Sequence, residues 1–217
     1  MKLTVITATY HRPDAFVLCE EYLKRQTRQP DQWLVLDGPD RMQKKVLDAI
    51  ESGKVEGEAV VFFEDDDHYR EDWLAWCERE IGRGYDLVGE GHAAYYNVAN
   101  RWWSECFNVR HAALCATAIH RDLLEPLANI IRSYDWPFFD TRIWPLRCNK
   151  RLALPKSPAE RRVVGIKGIR STDRKPGYSG EHHDVNQPGQ HRDPSLLQLN
   201  KWIGNDAANY AKFYERR

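Results

Sequence analysis

The sequence predicts an α/β fold, in which a mainly parallel sheet is covered by helices on both faces and followed by a small mixed half and a C-terminal tail. Short apolar segments at 3–9, 33–36 and 59–63 alternate with segments whose apolar residues recur at helical spacing. This alternation is typical of βαβ units. Beyond residue 86 the pattern changes to short, aromatic-rich segments, which indicates a more irregular second part of the chain.

The first strand and helix follow from residues 3–24. Residues 3–9 (LTVITAT) are β-branched and apolar on both alternating faces, as expected for a strand buried between helices. The strand ends at the loop 10–13, and Asp14 is placed to stabilise the first turn of a helix. Apolar residues recur at helical spacing along this helix, at Ala15, Leu18, Cys19, Tyr22 and Leu23.

Two further strand–helix units repeat the pattern. A strand at 33–36 is followed by the turn 37–39 and by a helix with Met42, Val46, Leu47 and Ile50 on its apolar face. A strand at 59–63 (AVVFF) leads into 64–68 (EDDDH) and then into a helix with Trp73, Leu74, Trp76, Cys77 and Ile81. Ligands of such sheets bind at the carboxyl ends of the strands, so we expect the loops after these three strands to form a site.

The rest of the chain is predicted as shorter elements. Four segments that we expect to pair antiparallel occupy 86–89, 92–98, 103–109 and 112–119. They are followed by a helix near 121–132, a segment near 138–147, a loop near 150–162 and a last strand at 163–166. Residues 170–195 lack periodicity, which indicates a flexible loop or lid. Residues 196–213 have the spacing of a closing helix.

The composition is that of a folded protein. Of its 217 residues 42% are hydrophobic and 29% charged, with 32 basic and 32 acidic side chains, which argues against disorder over most of the chain. Five cysteines without a Cys-x-x-Cys pair predict reduced thiols. No apolar run approaches the roughly 20 residues of a membrane span, and the first residues do not resemble a signal peptide. We therefore expect a cytoplasmic protein without a membrane span.

Charge is distributed unevenly along the chain. Residues 31–90 carry 17 acidic and 7 basic side chains, whereas 142–175 carry 11 basic side chains against Glu160 and Asp173. A metal site beside a phosphate site would produce this pattern. Two solvated faces without a function would produce it as well.

Four consecutive carboxylates follow the third strand. Like charges at close range repel, so a cation or a proton is needed among them. Asp65 and Asp67 are two residues apart on extended chain and can both point toward one ion, while Asp66 points away. Hard oxygen ligands favour Mg²⁺ or Mn²⁺. The alternative is a solvated acidic turn that caps a helix starting near Tyr69.

Three segments of the first 80 residues together resemble a known family. They are 5–13 (VITATYHRP), 33–38 (WLVLDG) and 62–67 (FFEDDD), the last followed by 72–74 (DWL). In this order and spacing they resemble the nucleotide-binding half of GT-A glycosyltransferases of the family-2 type.

The resemblance implies a GT-A domain organisation. Residues 1–160 would form the catalytic domain, with a nucleotide-binding half at 1–90 and an acceptor half at 91–160. Residues 161–217 would form the lid and closing helix of the same domain. The Gln-x-x-Arg-Trp motif of the processive synthases is missing from the sequence, which argues against a processive membrane enzyme.

The resemblance also implies a donor site. Asp65 and Asp67 would correspond to the Asp-x-Asp metal motif, and Asp37 would hydrogen-bond the base or ribose. Leu36 stands where the family usually shows a further Asp, which departs from its pattern of base recognition. The donor-binding residues at the strand ends would be Thr9, Tyr10, His11, Arg12, Asp37 and Asp66.

Asp140 is the candidate catalytic base, and Asp135 is the reserve. The segment 138–144 resembles the one in which inverting members of the family carry a carboxylate that removes the proton of the acceptor hydroxyl. The alternative role for Asp140 is a helix N-cap.

Late residues are candidates for binding the diphosphate and the metal. His182 or His183 would supply a third metal ligand, and imidazole suits Mn²⁺ better than Mg²⁺. Lys167 and Arg170 would neutralise the departing diphosphate, a role shared by Arg174 and Lys175. The alternatives are exposed loop histidines and ordinary surface charges.

Aromatic residues and histidines of the acceptor half are ambiguous. One or two tryptophans could form a sugar-binding platform, although tryptophan at regular spacing usually packs in a core; they are Trp102, Trp103, Trp136 and Trp144. His111 and His120 have no partner recognisable from the sequence and are interpreted as structural.

The sequence thus predicts a metal-dependent glycosyltransferase, a hexosyl- or pentosyltransferase, with Mn²⁺ or Mg²⁺ and a UDP-linked sugar donor. The acceptor is open among a glycan, a small molecule and a modified DNA base. Three alternatives remain: a nucleotidyltransferase, a DNA-acting glycosyltransferase on hydroxylated bases, and a nucleic-acid- or sugar-binding module. The basic stretch 142–175, which includes Trp144, is the feature that would bind a phosphate backbone.

Overall fold

A computed structural model describes residues 1–108, 110–134, 140–154, 160–172 and 189–214. Over these ranges the chain forms two β-sheets and six α-helices, so the predicted α/β class is confirmed. The strands are β1 Leu3–Thr9, β2 Gln32–Asp37, β3 Ala59–Phe62, β4 His68–Tyr69, β5 Leu87–Glu90, β6 His92–Asn97, β7 Trp102–Phe107, β8 Thr117–His120, β9 Arg151–Leu154, β10 Val163–Lys167 and β11 His191–Arg192. The helices are α1 Pro13–Lys24, α2 Met42–Glu51, α3 Trp73–Gly82, α4 Leu124–Ser133, α5 Asp140–Ile143 and α6 Leu197–Ile203.

The larger sheet has the strand order β2-β1-β3-β8-β5-β9. Three of its five pairings are parallel, and only β8 runs antiparallel to its neighbours β3 and β5. β2 and β3 lie on opposite sides of β1, so the connections from β1 to β2 and from β2 to β3 run in opposite directions across the sheet. Because such crossovers are right-handed, α1 and α2 lie on opposite faces of the sheet. The carboxyl ends of β1, β2 and β3 therefore share one edge.

The smaller sheet has the order β11-β7-β6-β10-β4. β6 and β7 form the antiparallel pair expected from the sequence. β10 runs parallel to β6 and antiparallel to the two-residue strand β4, where Val164 is paired with His68. This pairing brings the late strand β10 beside the carboxylate segment that follows β3.

The core is densely aromatic where the two sheets meet. The Phe63 and Tyr69 rings stack with centroids 3.5 Å apart, and Trp73 and Trp76 stack at 5.3 Å. All four side chains are almost fully buried. Offset-stacked pairs of this kind stabilise beyond the area they bury. No helix of the described ranges has both the length and the apolar character that crossing a bilayer requires.

Some expected elements differ from the structure. β9 lies where a loop was expected, because its residues pair in parallel with β5 and that pairing is not visible in local pattern. β10 is not the last strand, since β11 follows it. The expected closing helix at 196–213 is two helices in the structure. α6 ends before Gly204, whose φ is +61°, and a 3-10 helix, Gly204–Phe213, follows.

Candidate active site

The carboxylate segment 64–67 forms a buried turn between β3 and β4. Asp65, Asp66 and Asp67 expose only 2%, 4% and 0% of their surface, which rules out a solvated acidic turn. The Glu64 N–H donates to the Tyr69 hydroxyl at 2.7 Å, which fixes the backbone of this turn. The helix that follows begins at Trp73 and not near Tyr69. We call residues 64–67 the acidic turn.

Arg12 is a cation on the outer side of the acidic turn. Its guanidinium donates from Nη1 to Asp65 Oδ1 at 2.7 Å and from Nη2 to Asp66 Oδ2 at 2.6 Å. A further contact at 3.3 Å reaches the carbonyl of Ile169, just after β10. Arg12 precedes Pro13, the first residue of α1, a position that proline favours. The loop after β1 thus carries a fork that holds two carboxylates at once.

Lys167 is a cation on the inner side of the acidic turn. Its ammonium lies 3.2 Å from Asp67 Oδ1, and the backbone N–H of Ile166 donates to the same oxygen at 2.7 Å. Both donors belong to β10, which the pairing with β4 holds in place. Asp65 and Asp67 therefore have different cationic partners.

Burial and mutual repulsion shift the carboxyl groups of the acidic turn. Burial, reinforced by the charge of Asp67, raises the pKa of Glu64 to about 8. Burial raises the pKa of Asp65 to about 6, although Arg12 opposes it. Burial acts on Asp66 as well, but the charges of Arg12 and Lys167 outweigh it and lower its pKa. The acidic turn thus has four carboxyl groups and two cationic partners. Further positive charge or bound protons would balance the remaining negative charge.

The acidic turn has carboxylate oxygens of the type that a divalent cation would need. The Oδ2 atoms of Asp65 and Asp67 are buried and accept no hydrogen bond from the described residues. Ligand atoms of Glu64, Asp67 and Cys115 lie within 4.8 Å of one another, and this group contains Asp67 but not Asp65. Carboxylate oxygens in excess of their cationic partners are the donor set that Mg²⁺ or Mn²⁺ takes. His182 and His183 lie outside the described residues, so their role as ligands remains a prediction.

The predicted donor loop lies beside the acidic turn, at the carboxyl end of β1. Thr9 is paired with Asp37 across β1 and β2, and the rings of Tyr10 and His11 stack at 4.0 Å. His11 adopts a φ of +53°, and its carbonyl accepts from the Thr172 N–H at 2.7 Å. The segment that follows β10 therefore contacts the donor loop through a backbone hydrogen bond.

Asp37 and Arg170 occupy more exposed positions than the acidic turn. Asp37 is exposed at the end of β2, where its Oδ1 accepts from the Gly38 N–H at 2.8 Å. Arg170 is exposed three residues after Lys167. Arg174 and Lys175 lie outside the described residues.

Lys45 is a cation beside the donor loop that was not predicted from the sequence. Its ammonium donates to the Thr9 carbonyl at 2.8 Å and lies 5.9 Å from the centre of the Tyr10 ring. Burial lowers the pKa of Lys45, and the charges of Asp37 and Asp65 partly oppose this shift. Helical spacing could have indicated it, since Lys45 is one turn before the buried Ala49 whereas Lys44 points to solvent.

Asp140, the candidate base, lies in a short helix of the second part of the chain. It is the first residue of α5 and is half-buried. Burial raises the pKa of Asp140, while hydrogen bonds from the backbone and the charge of His111 oppose this shift. Asp140 is also close enough to raise the pKa of Glu64. The charge of Asp140 therefore reaches the acidic turn, whereas Asp135 lies outside the described residues.

Two of the four candidate tryptophans are core residues. Trp102 and Trp144 are 1% and 2% exposed, and the Trp144 indole N–H donates to the Thr117 hydroxyl at 3.2 Å. Trp103 is half-buried and stacks on His191 at 4.3 Å. Trp136 lies outside the described residues. The structural interpretation of His120 is confirmed, because its Nδ1 accepts from the backbone N–H two residues on.

The C-terminal region is anchored next to the acidic turn. Asp206 accepts from both Nη atoms of Arg25, and its Oδ2 lies 2.9 Å from Nε2 of His68. The hydroxyls of Tyr22 and Tyr210 are 2.8 Å apart in the core. These contacts join the last helical region to α1 and β4.

Comparison with known proteins supports the fold. No family model matches the chain, and no curated protein sequence matches it. The crystal structure of S. aureus TarS 1–349 is similar, with a TM-score of 0.52 and 14% identity over 76% of this chain and 60% of that chain. TarS 1–349 in complex with UDP-GlcNAc gives a TM-score of 0.48 and 16% identity over 77% and 59% of the two chains. The chain thus spans about 60% of the TarS fragment, and at this identity the likeness concerns the fold alone.

Proposed function

We propose that this chain is a glycosyltransferase of the GT-A, family-2 type. It transfers a hexosyl or pentosyl group from a UDP-linked sugar to an acceptor hydroxyl, with Mn²⁺ or Mg²⁺ as cofactor. The observation that carries this proposal is the acidic turn, which is buried at the carboxyl edge of a mainly parallel sheet and contacted by Arg12 and Lys167. We propose that the donor binds between this turn and the donor loop 9–12, and we call this region the donor cleft. The fold is shared with TarS 1–349, which has been crystallised with UDP and with UDP-GlcNAc.

Three cations of this cleft suit a diphosphate. Arg12 and Lys167 contact the acidic turn, and Lys45 lies against the donor loop. The Nη groups of Arg12 hold Asp65 and Asp66, but its Nε has no hydrogen-bond partner among the described residues, so a diphosphate in the cleft would accept a hydrogen bond from Nε. The same groups stabilise the charge that the diphosphate gains as it leaves the sugar.

Asp65 and Asp67 would hold the cation through the oxygens that lack hydrogen bonds. When bound, such a cation supplies positive charge at the diphosphate oxygens. The buried side chains of the acidic turn also exclude water from one side of the cleft, which strengthens the electrostatic interactions there.

Asp140 is the base in this proposal. A carboxylate whose pKa is raised by burial is better matched to a hydroxyl proton than an ordinary one, because catalytic pKa values near the working pH are the most effective. Its charge acts on Glu64, which supports a role for Asp140 near the acidic turn.

The experiment is a thermal-shift screen of UDP, UDP-glucose, UDP-GlcNAc and UDP-xylose, each with and without Mn²⁺. We expect a nucleotide-sugar to raise the Tm only when Mn²⁺ is present, by linkage of binding to folding. Asp67→Asn removes this stabilisation, whereas the matched control Asp48→Asn, on the exposed side of α2, retains it.

Two results would refute the proposal. One is the lack of any metal-dependent shift with every nucleotide-sugar in the screen. The other is release of pyrophosphate instead of UDP when the donor is consumed, which would identify a nucleotidyltransferase.

A further inference from the structure

One cavity is lined by residues that belong neither to the acidic turn nor to the donor loop. It has a volume of about 680 Å³, which is within the range typical of small-molecule sites. Its lining residues come from the segment before β8, from α5 and its C-terminal end, and from β9, and they are Arg110, His111, Thr141, Trp144, Pro145 and Arg151. We call this cavity the basic pocket.

The charge of the basic pocket has one sign. Two guanidinium groups and an imidazole line it, and none of its described lining residues is acidic. Arg151 is held in place by donating to the carbonyls of Trp144 and Leu146. Arg110 is exposed and has no ion-pair partner among the described residues. An anion that enters the pocket would therefore meet one preoriented and one uncompensated guanidinium.

The basic pocket is connected to the candidate base. Thr141 in its wall directly follows Asp140, and His111 in its wall lies within electrostatic reach of the Asp140 carboxylate. The charge of Asp140 also acts on Glu64 of the acidic turn. A molecule in the pocket would therefore lie next to the start of α5, which carries Asp140.

We propose that the basic pocket binds the acceptor through a phosphate group, and that the acceptor is a phosphate-bearing sugar or polyol. This inference rests on the proposed glycosyltransferase function and adds the substrate class. A concave pocket of this volume fits a small molecule, whereas a nucleic-acid duplex requires an extended basic surface.

The transfer step follows from this placement. The acceptor hydroxyl gives its proton to the Asp140 carboxylate, and its oxygen forms a bond to the anomeric carbon of the donor sugar. The bond between that carbon and the diphosphate oxygen breaks, and its electron pair leaves with UDP. The phosphate of the acceptor stays on Arg110 and Arg151 and takes no part in bond making.

The test is isothermal titration of the protein, saturated with UDP and Mn²⁺, with glucose 6-phosphate and ribose 5-phosphate and with the parent sugars. Saturation keeps the probes out of the donor cleft. We expect a sugar phosphate to bind at least about tenfold more tightly than its parent sugar, as charge-assisted contacts to arginine are strong. Arg110→Gln weakens this binding about tenfold, while the control Arg147→Gln, at an exposed position outside the pocket, leaves it unchanged.

Three outcomes would overturn the inference. They are equal binding of phosphorylated and parent sugars, unchanged binding in Arg110→Gln, and binding of a 12-base-pair DNA duplex in place of the sugar phosphates. The donor screen in the same Arg110→Gln variant separates the two proposals. Metal-dependent stabilisation by a donor in both the wild type and this variant supports the glycosyltransferase function. If sugar phosphates nevertheless fail to bind the wild type, only the proposed acceptor class is wrong.

Discussion

The Lys167 ammonium lies 3.2 Å from Asp67 Oδ1, although 100 residues separate the two along the chain. Both side chains are buried, so neither charge can turn to bulk water without moving β10 or the acidic turn. This pair joins the two sheets at the edge where the candidate donor cleft opens. It is the structural reason why a late strand belongs to the site.

Lys167→Met should destabilise the protein strongly. Removing one partner of a buried pair leaves the other charge uncompensated, which costs about 3–5 kcal/mol. Urea unfolding measures the change in the free energy of unfolding. The double variant Lys167→Met/Asp67→Asn should recover part of the loss. Lys44→Met, which removes a partner of the solvent-exposed Lys44–Asp48 pair, serves as the control and should leave stability unchanged. Equal stability of Lys167→Met and the wild type would contradict the role of this pair.

Asp140→Asn should lower kcat by about 10²–10⁴-fold while leaving the donor-dependent rise in Tm intact. The reason is that the amide cannot accept the proton of the acceptor hydroxyl, whereas donor contacts are made by other residues. Steady-state kinetics and the thermal shift, taken on one preparation, measure both effects. A variant with unchanged kcat would remove Asp140 from the mechanism.

The acidic limb of the pH profile of kcat/KM should lie above the pH at which an ordinary aspartate titrates. Burial raises the pKa of Asp140, and the base acts only when it is deprotonated, so activity rises with pH through this raised value. Rates from pH 4 to 8 test the direction. A limb at or below the ordinary aspartate value of about 3.9 would exclude Asp140 as the titrating base.

Asp206 should stabilise the fold at neutral pH and lose this effect in acid. Burial alone would raise the pKa of Asp206, but hydrogen bonds from His68 and Arg25 outweigh it and lower the pKa. A group whose folded pKa is lowered contributes stability above its unfolded pKa of about 3.9, and the contribution disappears as pH falls through the folded value. The difference in urea midpoint between the wild type and Asp206→Asn should therefore be larger at pH 7 than at pH 3. If the difference in urea midpoint were larger at pH 3 than at pH 7, the pKa of Asp206 would be raised in the folded protein and not lowered.

Gly89→Ala should destabilise the protein by about 2 kcal/mol, the usual cost of overpacking a core. A Cβ at Gly89 would lie 2.5 Å from the Ala116 carbonyl oxygen and 2.8 Å from Cζ2 of Trp144. The control is Gly82→Ala at the end of α3, where the nearest atom would be 3.6 Å away. Thermal unfolding compares the two variants. Similar Tm values for both would show that the strand near Trp144 shifts freely.

The secondary structure of the first 80 residues could be predicted well because its signals are local. The strands β1, β2 and β3 are continuous apolar runs, and α1, α2 and α3 have regular apolar spacing. The short strands β4 and β9 were not predicted, since two to four residues carry no periodicity of their own. They form only because β10 and β5 offer them backbone partners.

The candidate site was predictable in its carboxylates and less so in its cations. A run of charges after a buried strand is visible in the sequence. Helical spacing separates Lys45 from Lys44, but the contact of Lys45 with the Thr9 carbonyl exists only once α2 is packed. The effect of His111 on the pKa of Asp140 likewise depends on the tertiary structure, because the two residues lie in different segments of the chain.

The sequence by itself determined that three strand ends, with Thr9, Asp37 and the acidic turn, meet at one edge, because parallel βαβ units leave no other arrangement. Only the tertiary structure decided which cations face those carboxylates. That choice depends on the pairing of β10 with β4 and β6 and on the position of Arg12 before α1. The pairing of strands that are distant in sequence depends on the packing of the whole core, and therefore it cannot be predicted from any local sequence pattern.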